Sequence, residues 1–362
     1  MIQHKDHFHG SDLEKIEAIY GIKKEEIISF SANVNPLGIS PLLRESLSAH
    51  LDAITTYPDR EYKELRECIA AYAGTEADNI LVGNGSTELI SLFIQITHPA
   101  KALILGPTYS EYEREITLEG GKTHYYPLKE ENDFALDVAD FTSKLTDDID
   151  LVVLCNPNNP TSTCISQKEM RQILDVCTER NIYVMVDETY IEFVDDINVM
   201  SAVPLTAYYN NIIILRGTSK FFAAPGLRLG YAITGNKDLL QQINQFKNPW
   251  MINSLAEVAG KLMFTDKKYI EATRTLIAME RRRCYSILES AIGYKPYKAN
   301  ANFMLVKITD PAVTSSMLFE RCIKEKMMIR DCSTFPFLDE SYIRFCFMGK
   351  DADDRLLECL MK

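Results

Sequence analysis

One lysine follows a strongly apolar segment near the middle of the chain and stands among small polar residues. The segment 211–215 predicts a buried strand, and Gly, Thr and Ser at 217–219 come directly before Lys220. An amine that leaves a strand end and faces an apolar pocket can have its pKa lowered, so that it acts as a Schiff-base nucleophile. Arg228, eight residues later, could bind a phosphate. This stretch alone would equally fit a solvated lysine beside a structural arginine.

Three other apolar segments end in polar side chains that could take part in chemistry. Tyr109 follows the first and offers a flat ring, and Asn159 follows the second in a run of amides and prolines. Asp187 and Tyr190 follow the third, although an aspartate after a strand is as often only a helix cap. Because α/β proteins bind ligands at the carboxyl ends of their strands, these side chains are expected to meet Lys220.

A glycine-rich turn supplies a candidate phosphate site. The short strand 80–82 leads into Gly85, Ser86 and Thr87, and a helix is predicted over 89–96. Backbone N–H groups at the positive end of a helix can approach an anion closely where glycine leaves room. The turn has neither the G-x-G-x-x-G pattern of dinucleotide-binding folds nor the lysine of a P-loop.

Together these side chains suit pyridoxal 5′-phosphate, which carries an aldehyde, a phosphate, a phenolic oxygen and a pyridine nitrogen. We assign catalysis to Lys220, which would bind the aldehyde, Asp187, which would pair with the ring nitrogen, and Tyr190. The other predicted cofactor residues would hold the phosphate, stack on the ring or bond its oxygen, and they are Gly85, Ser86, Thr87, Ser219, Arg228, Tyr109 and Asn159.

Alternating apolar strands and helices predict the frame for this site. Strands are expected over 101–105, 122–126, 151–155, 183–186 and 212–215. The helical segments between several of them predict an α/β fold with a mostly parallel sheet covered by helices on both faces. A helical tract from Leu255 to Ala291 and a further alternation after it predict a smaller α/β lobe.

Length, charge and cysteine content limit the possible partners. A chain of 362 residues predicts two domains, or one large domain with a lobe built from both termini. The net charge of −12 argues against nucleic acid or an anionic membrane as a partner, and no apolar run approaches the ~20 residues of a membrane-spanning helix.

Nine cysteines without C-x-x-C pairs and the lack of a signal peptide predict a cytoplasmic protein. His4, His7 and His9 lack partners at ligand spacing, so no metal site is expected.

The combined motifs resemble those of the fold-type I pyridoxal-phosphate enzymes, in the class I and II aminotransferase branch, over nearly the whole chain. The resemblance rests on Asn-Pro-Asn-Asn-Pro-Thr at 156–161, on Asp-x-x-Tyr, and on Ser-Lys with an arginine eight residues later. It implies a homodimer with shared active sites, in which Tyr57 reaches the cofactor phosphate of the partner subunit. The implied division is an arm over 1–40, a large cofactor-binding domain over 41–250 and a small domain over 251–362.

Within that family the chain resembles two groups. The histidinol-phosphate aminotransferases share Asp-Glu-x-Tyr-Ile-Glu-Phe at 187–193. The threonine-phosphate decarboxylases of cobalamin biosynthesis are similar in more places, including the segment 30–38, Pro249-Trp250 with Asn253, and 329–332. The His9-Gly10 pair near the start favours the decarboxylases.

This second resemblance implies a lyase that removes CO₂ from L-threonine O-3-phosphate or L-serine O-phosphate and so supplies the linker of the cobamide nucleotide loop. His9, Asn33 and Arg330 would hold the substrate phosphate. Arg344 would hold the carboxylate, with Asn159 beside it. A Cα–carboxylate bond held perpendicular to the cofactor ring favours decarboxylation, whereas a perpendicular Cα–H bond favours transamination with 2-oxoglutarate, and the sequence leaves both open.

Three places depart from the family's pattern. Gly217 stands where a serine or threonine usually offers a hydroxyl to the phosphate, a role that Thr218 could take instead. Ser162 stands where glycine is usual. Phe335 and Phe337 are bulky residues beside the expected substrate arginines.

Overall fold

Thirteen strands and thirteen α-helices make up the described part of the chain, which in this computed structural model is residue 10 and residues 12–362. The strands are β1 (Ile28–Ser29), β2 (Ile80–Asn84), β3 (Lys101–Gly106), β4 (Lys122–Pro127), β5 (Leu151–Cys155), β6 (Tyr183–Asp187), β7 (Ile212–Gly217), β8 (Leu229–Ile233), β9 (Tyr294–Pro296), β10 (Phe303–Ile308), β11 (Met327–Met328), β12 (Arg330–Asp331) and β13 (Tyr342–Cys346). The helices are α1 (Leu13–Tyr20), α2 (Pro41–Ala49), α3 (Lys63–Ala73), α4 (Gly85–Thr97), α5 (Glu111–Leu118), α6 (Val138–Ser143), α7 (Gln167–Glu179), α8 (Ile197–Met200), α9 (Lys237–Phe246), α10 (Ser254–Met263), α11 (Lys267–Ser290), α12 (Ser315–Lys324) and α13 (Lys350–Met361).

The larger sheet has seven strands in the order β2-β8-β7-β6-β5-β3-β4. All neighbours run parallel except at β8, which is antiparallel to both β2 and β7. Its central strands β5, β6 and β7 are buried along almost their whole length, because helices cover both faces of a parallel sheet. The predicted mostly parallel α/β sheet is therefore confirmed.

Two apolar layers enclose this sheet. Ile213 and Leu215 of β7 face a layer formed with Leu89 of α4, Tyr112 of α5 and Ile243 of α9. The alternate residues of the same strand face the other layer, which continues into the second lobe. Because successive side chains of a strand point to opposite faces, one short apolar strand contributes to both layers.

The second lobe is built from both ends of the chain. Its sheet has the order β12-β13-β10-β9 and is antiparallel. The short β1 pairs in parallel with β11, with Ile28 opposite Met327, so a segment near the start joins elements near the end. This arrangement confirms the predicted smaller lobe from the two termini.

Some predicted boundaries were wrong. The first helix after the glycine turn begins at Gly85 rather than at Leu89, so the turn is itself the first turn of α4. The predicted helical tract is two helices, and Asp266 caps the second by accepting a hydrogen bond from the Tyr269 N–H at 3.1 Å. The strand β8 was not predicted, since it contains a glycine, Gly230, in a short apolar segment directly after the site loop. In the part of the chain that the structure describes, no helix is both long and apolar enough to cross a membrane.

A buried group of charged and phenolic side chains lies beside β7. Arg216 donates to Glu188 at 2.8 and 3.0 Å, and both side chains are almost fully buried. The nearby Glu192 is buried too, and within residues 12–362 neither of its carboxyl oxygens nor the hydroxyls of Tyr72 and Tyr231 have hydrogen-bond partners. Burial raises the pKa of Glu192 to about 7, against the opposing effect of the Arg216 charge. This carboxyl group is therefore largely neutral in mildly acidic solution.

Candidate active site

Lys220 lies just after β7, at the carboxyl end of the strand. Its Nζ donates to the carbonyl oxygen of Ala32 at 2.6 Å, and its own carbonyl accepts from the Asn35 N–H at 3.0 Å. Burial, together with the positive charges of Arg344 and Arg228, lowers the pKa of the Lys220 amine to about 8. An amine with this pKa is neutral in a substantial fraction near physiological pH, which a Schiff-base lysine requires.

The glycine turn and Arg228 form a cradle at the amino end of α4. The backbone of Gly85 has a positive φ of 78°, and a Cβ atom there would collide with the Arg228 guanidinium. A Cβ at Gly230 would likewise collide with the backbone of Gly85 and Ser86. Both glycines are therefore needed for the close approach of β8, Arg228 and the first turn of α4. The positive end of a thirteen-residue helix beside a guanidinium is a suitable site for a phosphate.

One hydroxyl group that was considered for this cradle, that of Thr218, is bonded elsewhere. The Thr218 hydroxyl is fully buried and donates to the Leu229 carbonyl at 3.1 Å, so the interpretation that it replaces the missing family hydroxyl is not supported. Gly217 has room, because an added Cβ would lie 3.8 Å from the Ser86 Oγ with no closer contact. Ser86 and the partly buried Ser219 are the hydroxyls next to Gly217 and Lys220.

Asp187 is held in place by two groups that the sequence did not single out. It is 4% exposed, and its Oδ2 accepts from the Tyr112 hydroxyl at 2.6 Å. Its Oδ1 accepts from the N–H and the hydroxyl of Thr189 at 2.9 and 2.5 Å. Tyr112 also packs edge-on against Tyr109, with ring centroids 5.6 Å apart. Because Tyr109 lies before α5 begins at Glu111, helical spacing gave no signal for Tyr112 in the sequence.

Asn33, Tyr190, Asn159 and Arg344 meet between the two lobes. The Asn33 amide donates to the Tyr190 hydroxyl at 3.3 Å. Arg344 donates through Nη1 to the Asn159 side-chain oxygen and through Nη2 to the Ser31 carbonyl. Among the described residues, the Nε of Arg344 and the Oδ1 of Asn33 are buried without a hydrogen-bond partner. Buried polar atoms of this kind are costly unless a ligand or water satisfies them, so this is a place for a polar ligand.

Arg330 lies directly opposite Arg344 in the antiparallel pair of β12 and β13. Opposed residues in such a pair project from the same face of the sheet. Burial lowers the pKa of the Arg330 guanidinium, and the charge of Arg344 lowers it further. Arg330 also lies over the Phe335 ring and donates to Thr334 at 3.1 Å. Two neighbouring guanidiniums favour a ligand with two anionic groups.

Two predicted residues are not part of this cluster. Tyr57 is 79% exposed and packs against the Trp250 ring at a centroid distance of 4.7 Å. His9 lies outside the described residues. Its neighbour Gly10 packs so closely on Ser31 that an added Cβ would collide with the Ser31 carbonyl.

The two phenylalanines have different positions. Phe335 is buried beneath Arg330, one of the two arginines predicted to bind substrate. Phe337 packs instead against Tyr125, with ring centroids 5.7 Å apart, and leaves no room for a side chain at Gly106. Of these two phenylalanines, the structure therefore places Phe335 against Arg330 and Phe337 against Tyr125.

Comparisons with known proteins agree with this geometry. Residues 25–360 match the model of the family described as aminotransferase class I and II. A protein of Caldanaerobacter subterraneus subsp. tengcongensis, named provisionally as a threonine-phosphate decarboxylase, is 36% identical over 91% of this chain and 88% of its own. Threonine-phosphate decarboxylase of Salmonella typhimurium is 31% identical over 97% of this chain and 95% of its own. The crystal structure of histidinol-phosphate aminotransferase from Clostridium acetobutylicum has a TM-score of 0.86 and 33% identity, and covers 92% of this chain and 97% of its own.

Proposed function

Because the chain belongs to the class I and II aminotransferase family, whose members use pyridoxal 5′-phosphate, we propose that it decarboxylates an O-phosphorylated β-hydroxy amino acid. The substrate is L-threonine O-3-phosphate or L-serine O-phosphate, and the products are the amino-alcohol phosphate and CO₂. The observation that carries this proposal is the pair Arg330 and Arg344, which offers two cationic groups to one small substrate. The two relatives named as threonine-phosphate decarboxylases support it.

The described residues suit the cofactor in chemical type. Asp187 offers a buried carboxylate for the ring nitrogen, and the cradle of Gly85, Ser86 and Arg228 suits the phosphate. When bound, the cofactor supplies an electron sink conjugated to the substrate Cα. Tyr112 and Thr189 are positioned to keep the Asp187 side chain oriented, because both donate hydrogen bonds to it.

In the proposed reaction Arg344 binds the substrate carboxylate, and Arg330 and Asn33 bind the phosphate together with His9. The Cα–carboxylate bond breaks, its electron pair stays with Cα, and CO₂ leaves. Lys220 then protonates Cα, a role that suits an ammonium group whose pKa is about 8. Asn159 fixes the Arg344 guanidinium by accepting its hydrogen bond.

The second candidate is a histidinol-phosphate aminotransferase. The similarity to the Clostridium acetobutylicum enzyme favours it, since the identity of 33% lies between those of the two decarboxylase relatives. Lys220 would then move the Cα proton rather than deliver one to a decarboxylated carbon. The same paired arginines would serve, because histidinol phosphate also carries a phosphate and the acceptor 2-oxoglutarate carries carboxylates.

The deciding experiment is product analysis with the purified, cofactor-loaded protein. It is incubated separately with O-phospho-threonine, O-phospho-serine, and histidinol phosphate plus 2-oxoglutarate. CO₂ release with an amino-alcohol phosphate supports the decarboxylase and ranks its substrates, whereas glutamate formed without CO₂ contradicts it and supports the aminotransferase. The Lys220→Ala variant serves as the control, because it should lose both the cofactor absorption band and turnover. Persistence of that band would contradict the role of Lys220.

A further inference from the structure

Ser162 has a backbone conformation that residues with a side chain rarely adopt. It lies three residues after Asn159 in the same loop, has a φ of 61°, and is fully buried. Its N–H donates to the Asn158 carbonyl at 2.7 Å, which closes the turn. A positive φ brings Cβ close to the backbone, so glycine would be the less strained residue here. The chain keeps a serine in spite of this strain, which indicates a use for the hydroxyl.

The Ser162 hydroxyl joins this loop to the second lobe. Its Oγ accepts hydrogen bonds from the N–H groups of Asn300 and Ala301 at 3.0 and 2.8 Å. The Ser162 carbonyl accepts two more from Asn300, one from its N–H at 3.1 Å and one from its side-chain amide at 2.9 Å. Residues 300–302 lead directly into β10. One serine therefore ties the loop of Asn159 to the segment before β10 through three donor groups, with the Asn300 N–H shared between the hydroxyl and the carbonyl of Ser162.

The tied segment continues to the residues around the polar ligand site. Asn302 donates through its amide to the Asn33 carbonyl at 2.9 Å, and its own carbonyl accepts from the Phe347 N–H at 2.9 Å. Asn33 in turn donates to the Tyr190 hydroxyl. On the other side of Ser162, Asn159 accepts from Arg344 of β13. The positions of Asn33 and Arg344 relative to the larger sheet thus both depend on the junction at Ser162.

We propose that Ser162 is a positioning residue that sets the spacing between Asn159, Arg344 and Asn33, and so determines how tightly the two lobes hold an anionic amino acid. The proposal rests on the proposed function to the extent that the substrate is an amino acid whose carboxylate binds Arg344. Ser162 does not itself touch the reacting atoms. Its effect is on substrate capture, and the cofactor cradle at Gly85 and Arg228 is independent of it.

Two variants of the holoenzyme separate the hydroxyl from the backbone. Ser162→Ala removes the hydroxyl and keeps the strained Cβ, whereas Ser162→Gly removes both. We expect both to raise the KM for the phosphorylated amino acid about tenfold, equivalent to about 1.4 kcal/mol, with kcat changed less than twofold. Cofactor affinity, measured by absorbance titration of the apo protein, should change much less than KM, because Asn159 is one of several predicted cofactor contacts and the phosphate cradle does not depend on Ser162. If KM rises in Ser162→Ala but not in Ser162→Gly, the effect comes from backbone strain, and the role of the hydroxyl is overturned.

Ser166→Ala is the matched control. Its hydroxyl also accepts a backbone hydrogen bond, from Glu169 at 3.3 Å at the start of α7, but it does not join the lobes. The control should lower the melting temperature and leave KM unchanged. If KM rises equally in Ser166→Ala, or if cofactor affinity falls as strongly as KM rises in the Ser162 variants, Ser162 has only a structural role.

Failure of the proposed function gives a different result from failure of this inference. If the wild-type protein does not decarboxylate phosphorylated amino acids, the same variants are assayed with histidinol phosphate and 2-oxoglutarate. The carboxylates of 2-oxoglutarate would need Arg344 as well. A raised KM for 2-oxoglutarate in the Ser162 variants supports the positioning role even though the protein is not a decarboxylase. Unchanged KM values for whichever substrate the wild type accepts overturn the positioning role alone.

Discussion

At the scale of single residues, Gly217 is the place where the phosphate cradle has spare room. A Cβ added there would make only ordinary contacts, with the nearest side-chain atom, the Ser86 Oγ, at 3.8 Å. Thr218 cannot compensate, because its hydroxyl is bonded to the Leu229 carbonyl. The proposed phosphate cradle therefore offers one hydroxyl fewer than its space would allow.

Gly217→Ser should tighten cofactor binding. The new hydroxyl would lie beside Ser86 and add one hydrogen bond to the phosphate, which is expected to contribute about 1 kcal/mol and lower the Kd about fivefold. The measurement is absorbance titration of the apo protein with pyridoxal 5′-phosphate. Gly226→Ser is the control, since a side chain at Gly226 meets nothing within 4 Å. Equal or weaker affinity in Gly217→Ser would show that the new hydroxyl does not reach the phosphate.

The sequence suggested the candidate chemical residues more readily than the residues that hold them in place. Lys220, Asp187 and Arg228 could be predicted because their types are unusual after apolar strands. Tyr112 and Asn302 could not be separated from ordinary core residues, because each acts through one contact with a distant part of the chain. Such contacts depend on the packing of elements, which no local pattern records.

At the scale of elements, the short segment after β6 carries two carboxyl groups with opposite environments. Glu188 is paired with Arg216, whereas the Glu192 carboxyl is buried without a hydrogen-bond partner among the described residues. The raised pKa of Glu192 means that the folded protein holds a proton that the unfolded chain releases. The free energy of unfolding should therefore fall as pH rises from about 4.5 through about 7, and stay lower above that.

Glu192→Gln tests this pH dependence, because glutamine is neutral at every pH. We expect little difference from wild type at pH 5 and a variant more stable by about 2 to 3 kcal/mol at pH 8. Urea unfolding of the holoenzyme at both pH values measures it. Glu131→Gln, on the surface, is the control and should show no such difference. If the stability difference between Glu192→Gln and wild type is the same at pH 8 as at pH 5, Glu192 is already ionised in the folded protein at pH 5.

Element boundaries could be predicted where one apolar pattern decided them. The strands β5, β6 and β7 follow directly from apolar runs. The start of α4 and the existence of β8 could not be predicted in this way, because both depend on one close approach between Gly85 and Gly230. Glycine in a sequence indicates a turn at least as readily as a tight contact, so only the packed structure distinguishes the two.

At the scale of the whole molecule, an exposed apolar surface surrounds Tyr57. Leu51, Ile54 and Tyr57 come from one short stretch and are more than half exposed, and Trp250 packs against Tyr57. Exposed apolar side chains in such a group are typical of an interface. This supports the proposed homodimer, in which Tyr57 of one subunit contributes to the cofactor site of the other.

Mixed dimers test the shared site. Tyr57→Ala and Lys220→Ala should each be impaired alone. A mixed dimer of the two has one intact site, with Lys220 from one subunit and Tyr57 from the other, and one site that lacks both residues. Co-expression of equal amounts should restore about a quarter of wild-type activity, since half of the dimers are mixed and each has one intact site. Asp187→Asn with Lys220→Ala is the control, because both residues would belong to the same subunit's site. Activity equal to the sum of the two parents would exclude a shared site.

The pairing of β1 with β11 has a consequence for how the protein is made. Two contacts beside that pairing, Tyr20 with Glu320 and Lys326 with Glu26, join residues 300 positions apart in the chain. A ribosome releases the amino-terminal segment long before it translates the partners of that segment. The seven-stranded sheet, complete by Ile233, can form during translation, whereas residues 28–33 must wait until the last strands emerge. Asn33 and Arg344 therefore come together only at the end of synthesis, and nascent chains lacking the last strands lack the proposed substrate site.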